Sequence, residues 1–322
     1  MQVTPKIHAT QLLRDDHDKV RGLFRDFLEA KDPSEAAQLG EEICKELEIH
    51  TWIEERLVYP ALANLGPEAL PGTALAESFA REHQAVKRLI SRWRLTRGGT
   101  GLPAGGAEVS VPQIMALVQP HMAEEESVAL PALAGHAEAD TDLGAGVGKL
   151  KLKLKMFPPV HRWIDVQAPL RKVYDQWTQF EAFPCFMDPV KEVRQLGDAK
   201  VQWCAGIGGK ELRWTAEIHE QEPDQRIAWR SLDGAVHSGS VSFLPLAPDA
   251  TRMLVELCYE PQGLAEDLGA LLGVVSQRVA TAMDRFKSYV ESSPAPGGAW
   301  RGRIEASPLD PRQVRREPGR RP

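Results

Sequence analysis

HTWIEERLVYPAL (50–62) and HMAEEESVALPAL (121–133) share one pattern, H-x3-E-E-x4-P-A-L. Each is preceded, by about 35 residues, by a solitary histidine, His17 and His83. A pattern that recurs with its upstream partner is the mark of a duplicated helical hairpin, and it predicts four helices related by an approximate two-fold axis. Working outward, the apolar residues keep helical spacing around both motifs. Ile43, Leu47, His50, Glu54, Leu57 and Ala61 advance in steps of three and four, as do Val118, His121, Glu125, Val128 and Ala132. Leu13, His17, Val20, Phe24 and Phe27 form a third seam, and Phe79, His83, Val86, Ile90 and Trp93 a fourth. Each histidine and each first glutamate of a motif therefore lies on an apolar stripe that must face the bundle interior.

Those six residues cannot stay there uncompensated. A buried unpaired carboxylate costs several kcal/mol, and an unsatisfied imidazole about 1–3. Summed over His17, His50, Glu54, His83, His121 and Glu125, the penalty rivals the ~5–15 kcal/mol stability of a whole domain. A pair of cations removes it, with Glu54 and Glu125 bridging and His17/His50 and His83/His121 capping the two ions. Mixed imidazole and carboxylate donors suit iron, manganese or zinc, and the order of metal affinities does not choose among them. Glu55 and Glu126, one step round the helix, read as supporting or surface residues.

With these residues in hand, residues 1–140 resemble the hemerythrin HHE cation-binding family. The resemblance implies an all-α up-and-down four-helix bundle with an oxygen-reactive, carboxylate-bridged pair of Fe ions, and it carries over the same six ligands. The sequence departs from oxygen-carrying members at Lys87, where a further histidine is expected, so one ion keeps an open position. Pro120, directly before His121, removes a backbone donor and predicts a kink in the fourth helix.

The rest of the chain has another character. Residues 134–148 are rich in Gly, Ala and Asp and predict a linker, taken as 141–157. Within it Lys149, Lys151, Lys153 and Lys155 alternate with leucines, a pattern that fits a lysine-guarded edge strand better than a contact with acidic lipid. From 158 to 292 period-2 alternation, as in KELRWTAEIHE (210–220), predicts a strand, two short helices, about six further strands and a long C-terminal helix. Its apolar face, Leu264, Leu268, Leu271, Val275, Val279, Met283, Phe286 and Val290, is set to lie on the sheet. The stretches YDQWTQFEAFPCFM (174–187) and IGGKELRWTAEIHEQEPDQRIAWRS (207–231) resemble the polyketide cyclase/coenzyme Q-binding (START-like, SRPBCC) superfamily. That resemblance implies an α+β helix-grip domain with a curved antiparallel sheet and an apolar ligand such as a quinone or lipid. Trp177, Phe183, Phe186, Trp203, Trp214 and Trp229 are candidates to line its cavity, each equally suited to the core. His219 and His237 lie on strands without a partner that marks either as catalytic. Residues 293–322, rich in Pro, Gly and Arg, predict a disordered basic tail.

Bulk properties set the limits. A net charge of −6 over 322 residues argues against nucleic acid as a partner. No apolar run reaches the roughly 20 residues of a membrane span, so membrane contact is at most peripheral. Four scattered cysteines without a C-x-x-C pair argue against a disulfide framework and suit a cytoplasmic protein. The expectation is a multidomain, non-haem di-iron protein that binds oxygen or a reactive oxygen or nitrogen species, joined to a hydrophobic-ligand domain, in redox or stress handling. The alternatives are a peroxidase or oxygenase acting on a hydrophobic substrate, and an iron or redox sensor.

Overall fold

In the computed structural model, residues 7–65, 73–97, 109–207, 210–234, 237–260, 268–294 and 298–305 are described. The chain divides into two compact units, residues 1–90 with 110–158, and residues 91–109 with 159–307.

The first unit is helical. Helix α1 spans Ala9–Glu29. Helix α2 (Pro33–Ile53) starts on an Asp32 cap whose carboxylate accepts the Ser34 N–H at 2.7 Å. It passes through a π-helical turn, Glu54–Val58, into α3, Tyr59–Asn64. Helix α4 covers Thr73–Arg97. Helix α5 (Val111–Glu124) passes through a second π turn, Glu125–Ala129, into α6, Leu130–Ala134. Both π turns fall at the same place in the two motifs, and proline explains them. Pro60 and Pro131 have no N–H for an i→i−4 bond, and the residue before each donates to the carbonyl five back, Tyr59 to Glu54 and Leu130 to Glu125.

Each π turn adds one residue, so the inward phase beyond it moves by one position. Leu57 and Ala61, expected inside, are only half-buried, and Val58 and Leu62 take their places. Val128 is 37% exposed, and Ala129 and Leu133 are buried instead. The irregularity expected at Pro120 is likewise displaced: α5 runs unbroken from Val111 to Glu124, and the change of helix type comes after it.

The expected linker is a helix. Residues Ala137–Met156 form α7, which packs on α1 and α2. Gly and alternating Lys/Leu suggested a break and then a strand, but in a helix the same residues sort by threes and fours. Val147, Leu150 and Leu154 are buried while Leu152 is 62% exposed, and Lys151 pairs with Asp16. Asp140 anchors the start of α1 by accepting from the Thr10 N–H (2.9 Å) and hydroxyl (2.8 Å). Gly144 permits the approach, because a Cβ there would sit 2.1 Å from the Ile7 carbonyl oxygen. Gly144→Ala is therefore expected to cost about 1–3 kcal/mol, read as a lowered urea midpoint, despite alanine's better helix propensity.

The second unit carries seven antiparallel strands in the order β1-β7-β6-β5-β4-β3-β2. They are β1 (Val160–Val166), β2 (Val190–Gln195), β3 (Lys200–Ile207), β4 (Lys210–Glu222), β5 (Arg226–Ser231), β6 (His237–Ala247) and β7 (Ala250–Tyr259). Register shifts in β2–β3, β4–β5 and β6–β7 help the sheet to curl. Helix α8 (Leu170–Trp177) and a 3-10 turn (Phe180–Cys185) follow β1, and α9 (Leu268–Ser292) ends the unit. Met283, Phe286 and Val290 of α9 join Val241, Phe243 and Met253 of the sheet in one core, as the apolar spacing predicts. Leu264 lies outside the described residues. Part of the expected disordered tail is built into this unit. Ile304 bridges Gln221, and Arg301 pairs with Asp175 and Asp224 over the Tyr174 ring. These anions supply what composition alone could not indicate; residues 306–322 lie outside the described part.

Candidate metal centre

The six residues singled out in the motifs converge inside the first unit. His17, His50, Glu54, His83, His121 and Glu125 are each 5% exposed or less. Their donor atoms fall into two groups, His17/His50/Glu54/Glu125 and Glu54/His83/His121/Glu125, within each of which all atoms lie within 4.8 Å of one another. Both carboxylates belong to both groups, and each group adds one pair of histidines. His50 Nε2 lies 3.0 Å from Glu54 Oε2, His83 Nε2 3.3 Å from the same oxygen, and His17 Nε2 3.4 Å from Glu125 Oε2. His83 Nε2 and His121 Nε2 are 3.0 Å apart.

Three of the four imidazoles have a carboxylate behind them at Nδ1, which orients the rings. His17 Nδ1 is 2.8 Å from Glu126, which also accepts from Arg21 at 2.8 Å. His121 Nδ1 is 2.7 Å from Glu82. His83 Nδ1 lies 3.3 Å from Glu55, and Lys87 donates to both Glu55 oxygens at 2.6 and 2.7 Å. Lys87, at the position expected for a further histidine, is thus engaged with Glu55. Burial raises the Glu55 carboxyl, but Lys87 and then His83 outweigh it and bring it down to about 2. Burial likewise opposes charge on His83, yet Glu54 and Glu55 hold it up to about 9. The cluster is strongly attractive to positive charge.

A cation fits these residues on the evidence of their unsatisfied atoms. His17 Nε2, both nitrogens of His50, Glu54 Oε1 and Glu125 Oε2 are dry and, among the described residues, without a hydrogen-bond partner. Buried polar atoms in native proteins are nearly always paired, and such nitrogens and oxygens converging from three helices have the donor chemistry of a metal site.

Tyr59 enters the same space and was not evident from helical spacing. Its hydroxyl donates to Glu125 Oε1 at 2.8 Å and lies 2.9 Å from His83 Nε2. The extra residue of the first π turn rotates it inward. One sequence signal existed: position 59 is among the places where the two motifs differ in polarity, tyrosine against Leu130. Burial, then Glu125 and Glu54, raise its pKa well above the ordinary value, so it remains a neutral phenol.

In the second unit the aromatic candidates separate. Trp177, Phe183 and Phe186 are buried in the core, whereas Trp203, Trp214 and Trp229 are half-buried on the sheet. Trp203 and Trp214 are cross-strand partners with parallel rings, 6.0 Å between centroids and 3° between planes.

A bundle that gathers histidines and carboxylates in its core, joined to a curled sheet closed by a long helix, defines a cation-binding domain fused to a helix-grip domain. Residues 8–133 match the hemerythrin HHE cation binding domain, and residues 166–287 match polyketide cyclase / dehydrase and lipid transport. These matches show a hemerythrin HHE domain in the N-terminal part of the chain and a polyketide cyclase/dehydrase domain in its C-terminal part. An uncharacterized 17.2 kDa protein of Streptomyces lincolnensis is 36% identical over 142 residues, 44% of this chain and 95% of that protein. An uncharacterized hemerythrin-like protein of Schizosaccharomyces pombe is 29% identical over 124 residues, 38% of this chain and 57% of that one. Among solved structures, an aromatase/cyclase of a Streptomyces species is 18% identical, with a TM-score of 0.38 over 44% of this chain and 98% of its own. Among the described residues, no helix is long and apolar enough to cross a membrane.

Proposed function

We propose that the first unit holds two non-haem iron ions and binds oxygen or a reactive oxygen or nitrogen species. The second unit carries a quinone- or lipid-type molecule, and the pairing serves redox or stress handling. One observation carries the metal reading: two buried carboxylates belong to both donor groups, each of which is completed by its own pair of histidines. An iron pair bound there would supply reversible binding and reduction of small oxygen species. The chain's part is to orient the imidazoles through Glu126, Glu82 and Glu55 and to exclude bulk water. Metal analysis with an optical spectrum of aerobically purified protein tests the proposal. About two irons per chain with charge-transfer bands support it; zinc alone, or no metal, would overturn it.

Tyr59 favours a second reading, turnover of peroxide. Its phenol sits beside His83 and Glu125 and can deliver a proton to a reactant held between them. Tyr59→Phe is expected to keep the bound iron and lower peroxide consumption by about 10²-fold at saturating peroxide. Unchanged turnover in that variant would remove the phenol from the chemistry, and no turnover in the parent protein would remove the enzyme reading.

A further inference from the structure

The face of the sheet that carries the core changes character at one end. Val241, Phe243, Met253 and Val255 give an apolar surface. Two residues beyond each stretch, on the same face, come Gly239 then His237 of β6, and Leu257 then Tyr259 of β7, with His237 directly opposite Tyr259. Trp214 approaches from β4, its ring edge-on to His237 at 5.8 Å and 89°. Trp229 is opposite Gly239, and a Cβ on that glycine would come 2.5 Å from the indole. Glycine thus lets a flat ring lie over β6.

This end holds a group of unpaired buried polar atoms outside the metal centre. Trp214 Nε1, His237 Nδ1, His237 Nε2 and Tyr259 Oη are all dry and without a hydrogen-bond partner among the described residues. The imidazole is pushed down to about 4 by burial alone, so it is neutral and offers one donor and one acceptor. With the indole N–H and the phenol, the set can donate three hydrogen bonds and accept two. Leaving them unmade costs about 1–3 kcal/mol each, a penalty that a folded chain keeps where a ligand later removes it.

From this geometry we infer that Trp214, His237 and Tyr259 form the polar end of the second unit's ligand site, flanked by the Trp203 and Trp229 ring faces. They select a flat aromatic molecule that presents a hydroxyl or carbonyl oxygen over one of the same shape without it. The inference rests on the hydrophobic-ligand reading above and narrows it to oxygenated aromatics rather than plain acyl chains. Sites built around buried hydrogen-bonding groups discriminate strongly against analogues that cannot pair with them.

Calorimetric titration of the full chain with 1-naphthol and 1-methylnaphthalene, of nearly equal shape, tests it. The hydroxyl compound is expected to bind about tenfold or more tightly. In His237→Leu the preference should fall below about threefold, with 1-methylnaphthalene bound at least as well as before. The thermal midpoint of the free variant should stay level or rise, because an unpaired buried group has been removed. Trp214→Phe should narrow the preference in the same direction. Equal binding of both compounds to the parent chain overturns the polar end while leaving an apolar site. Binding of neither overturns both readings. A preference unchanged in His237→Leu, or a thermal midpoint lowered by more than about 5 °C, assigns the imidazole a structural role and overturns the inference.

Discussion

Glu54→Ala is expected to empty the first unit of metal, from about two ions per chain to below about half an ion. Glu54 belongs to both donor groups, so its loss removes a ligand from each ion together with the negative charge that offsets them. His50→Ala touches one group only and should retain about one ion. Elemental analysis of the two variants, purified side by side, reads the difference. Stability should follow the metal: at a free concentration a thousandfold above Kd, a ligand adds about 4 kcal/mol to folding. Loaded parent protein should therefore gain that much over its chelated form, and Glu54→Ala should gain almost nothing. Retention of both ions by Glu54→Ala would mean that the carboxylate does not join two sites.

The second large effect lies in the sheet. Arg252 on β7 is 1% exposed and faces Asp165 on β1 in register, with Nε and Nη2 donating to the two carboxylate oxygens at 2.7 and 2.9 Å. The Trp163 ring lies 5.2 Å from the guanidinium. The partners are buried unequally, since about a third of the Asp165 side chain is exposed, and this decides which substitution hurts more. Asp165→Ala leaves a dry guanidinium, which cannot shed its charge, with only the Leu95 carbonyl at 3.2 Å as a hydrogen-bond partner among the described residues, and is expected to cost about 3–5 kcal/mol. Arg252→Met leaves a carboxylate that water can reach and should cost about 1–2 kcal/mol. Urea unfolding followed by tryptophan emission suits the comparison, because six of the eight tryptophans lie at or beyond residue 163. A reversed order of the two losses would show that the pair's asymmetry is not set by solvent access.

Much of this was legible in the sequence, for reasons that also explain what was not. The six metal-site residues stood out because each interrupts an apolar seam with a group that must be compensated, and the interruption repeats. The order of strands and helices in the second unit followed from a change of period. Tyr59 was hidden because helical spacing assumes 3.6 residues per turn, and a π turn upsets the count just where the phenol enters. Leu57, Ala61, Val128 and Ala132 were misplaced by that same single residue. Helix α7 was missed because Gly144 reads as a breaker, when its lack of a side chain is what lets α7 lie against residues 7–9. The roles of Glu126, Glu82 and Glu55 depend on distances between helices, which no one-dimensional pattern contains. The placement of residues 298–305 depended on anions more than 75 positions away in the chain.

The widened turns also have a bearing on how such chains can vary in length. In a regular helix, dropping one residue swings everything downstream by about 100° and scrambles a buried face. Here the stretch from Glu54 to Pro60 already holds one residue more than an α-helix would. A shortened relative could therefore relax to ordinary winding and still present Leu62 and its neighbours to the interior. Both copies of the motif carry this surplus, which makes the segment between carboxylate and proline a natural place for one-residue gains and losses during descent.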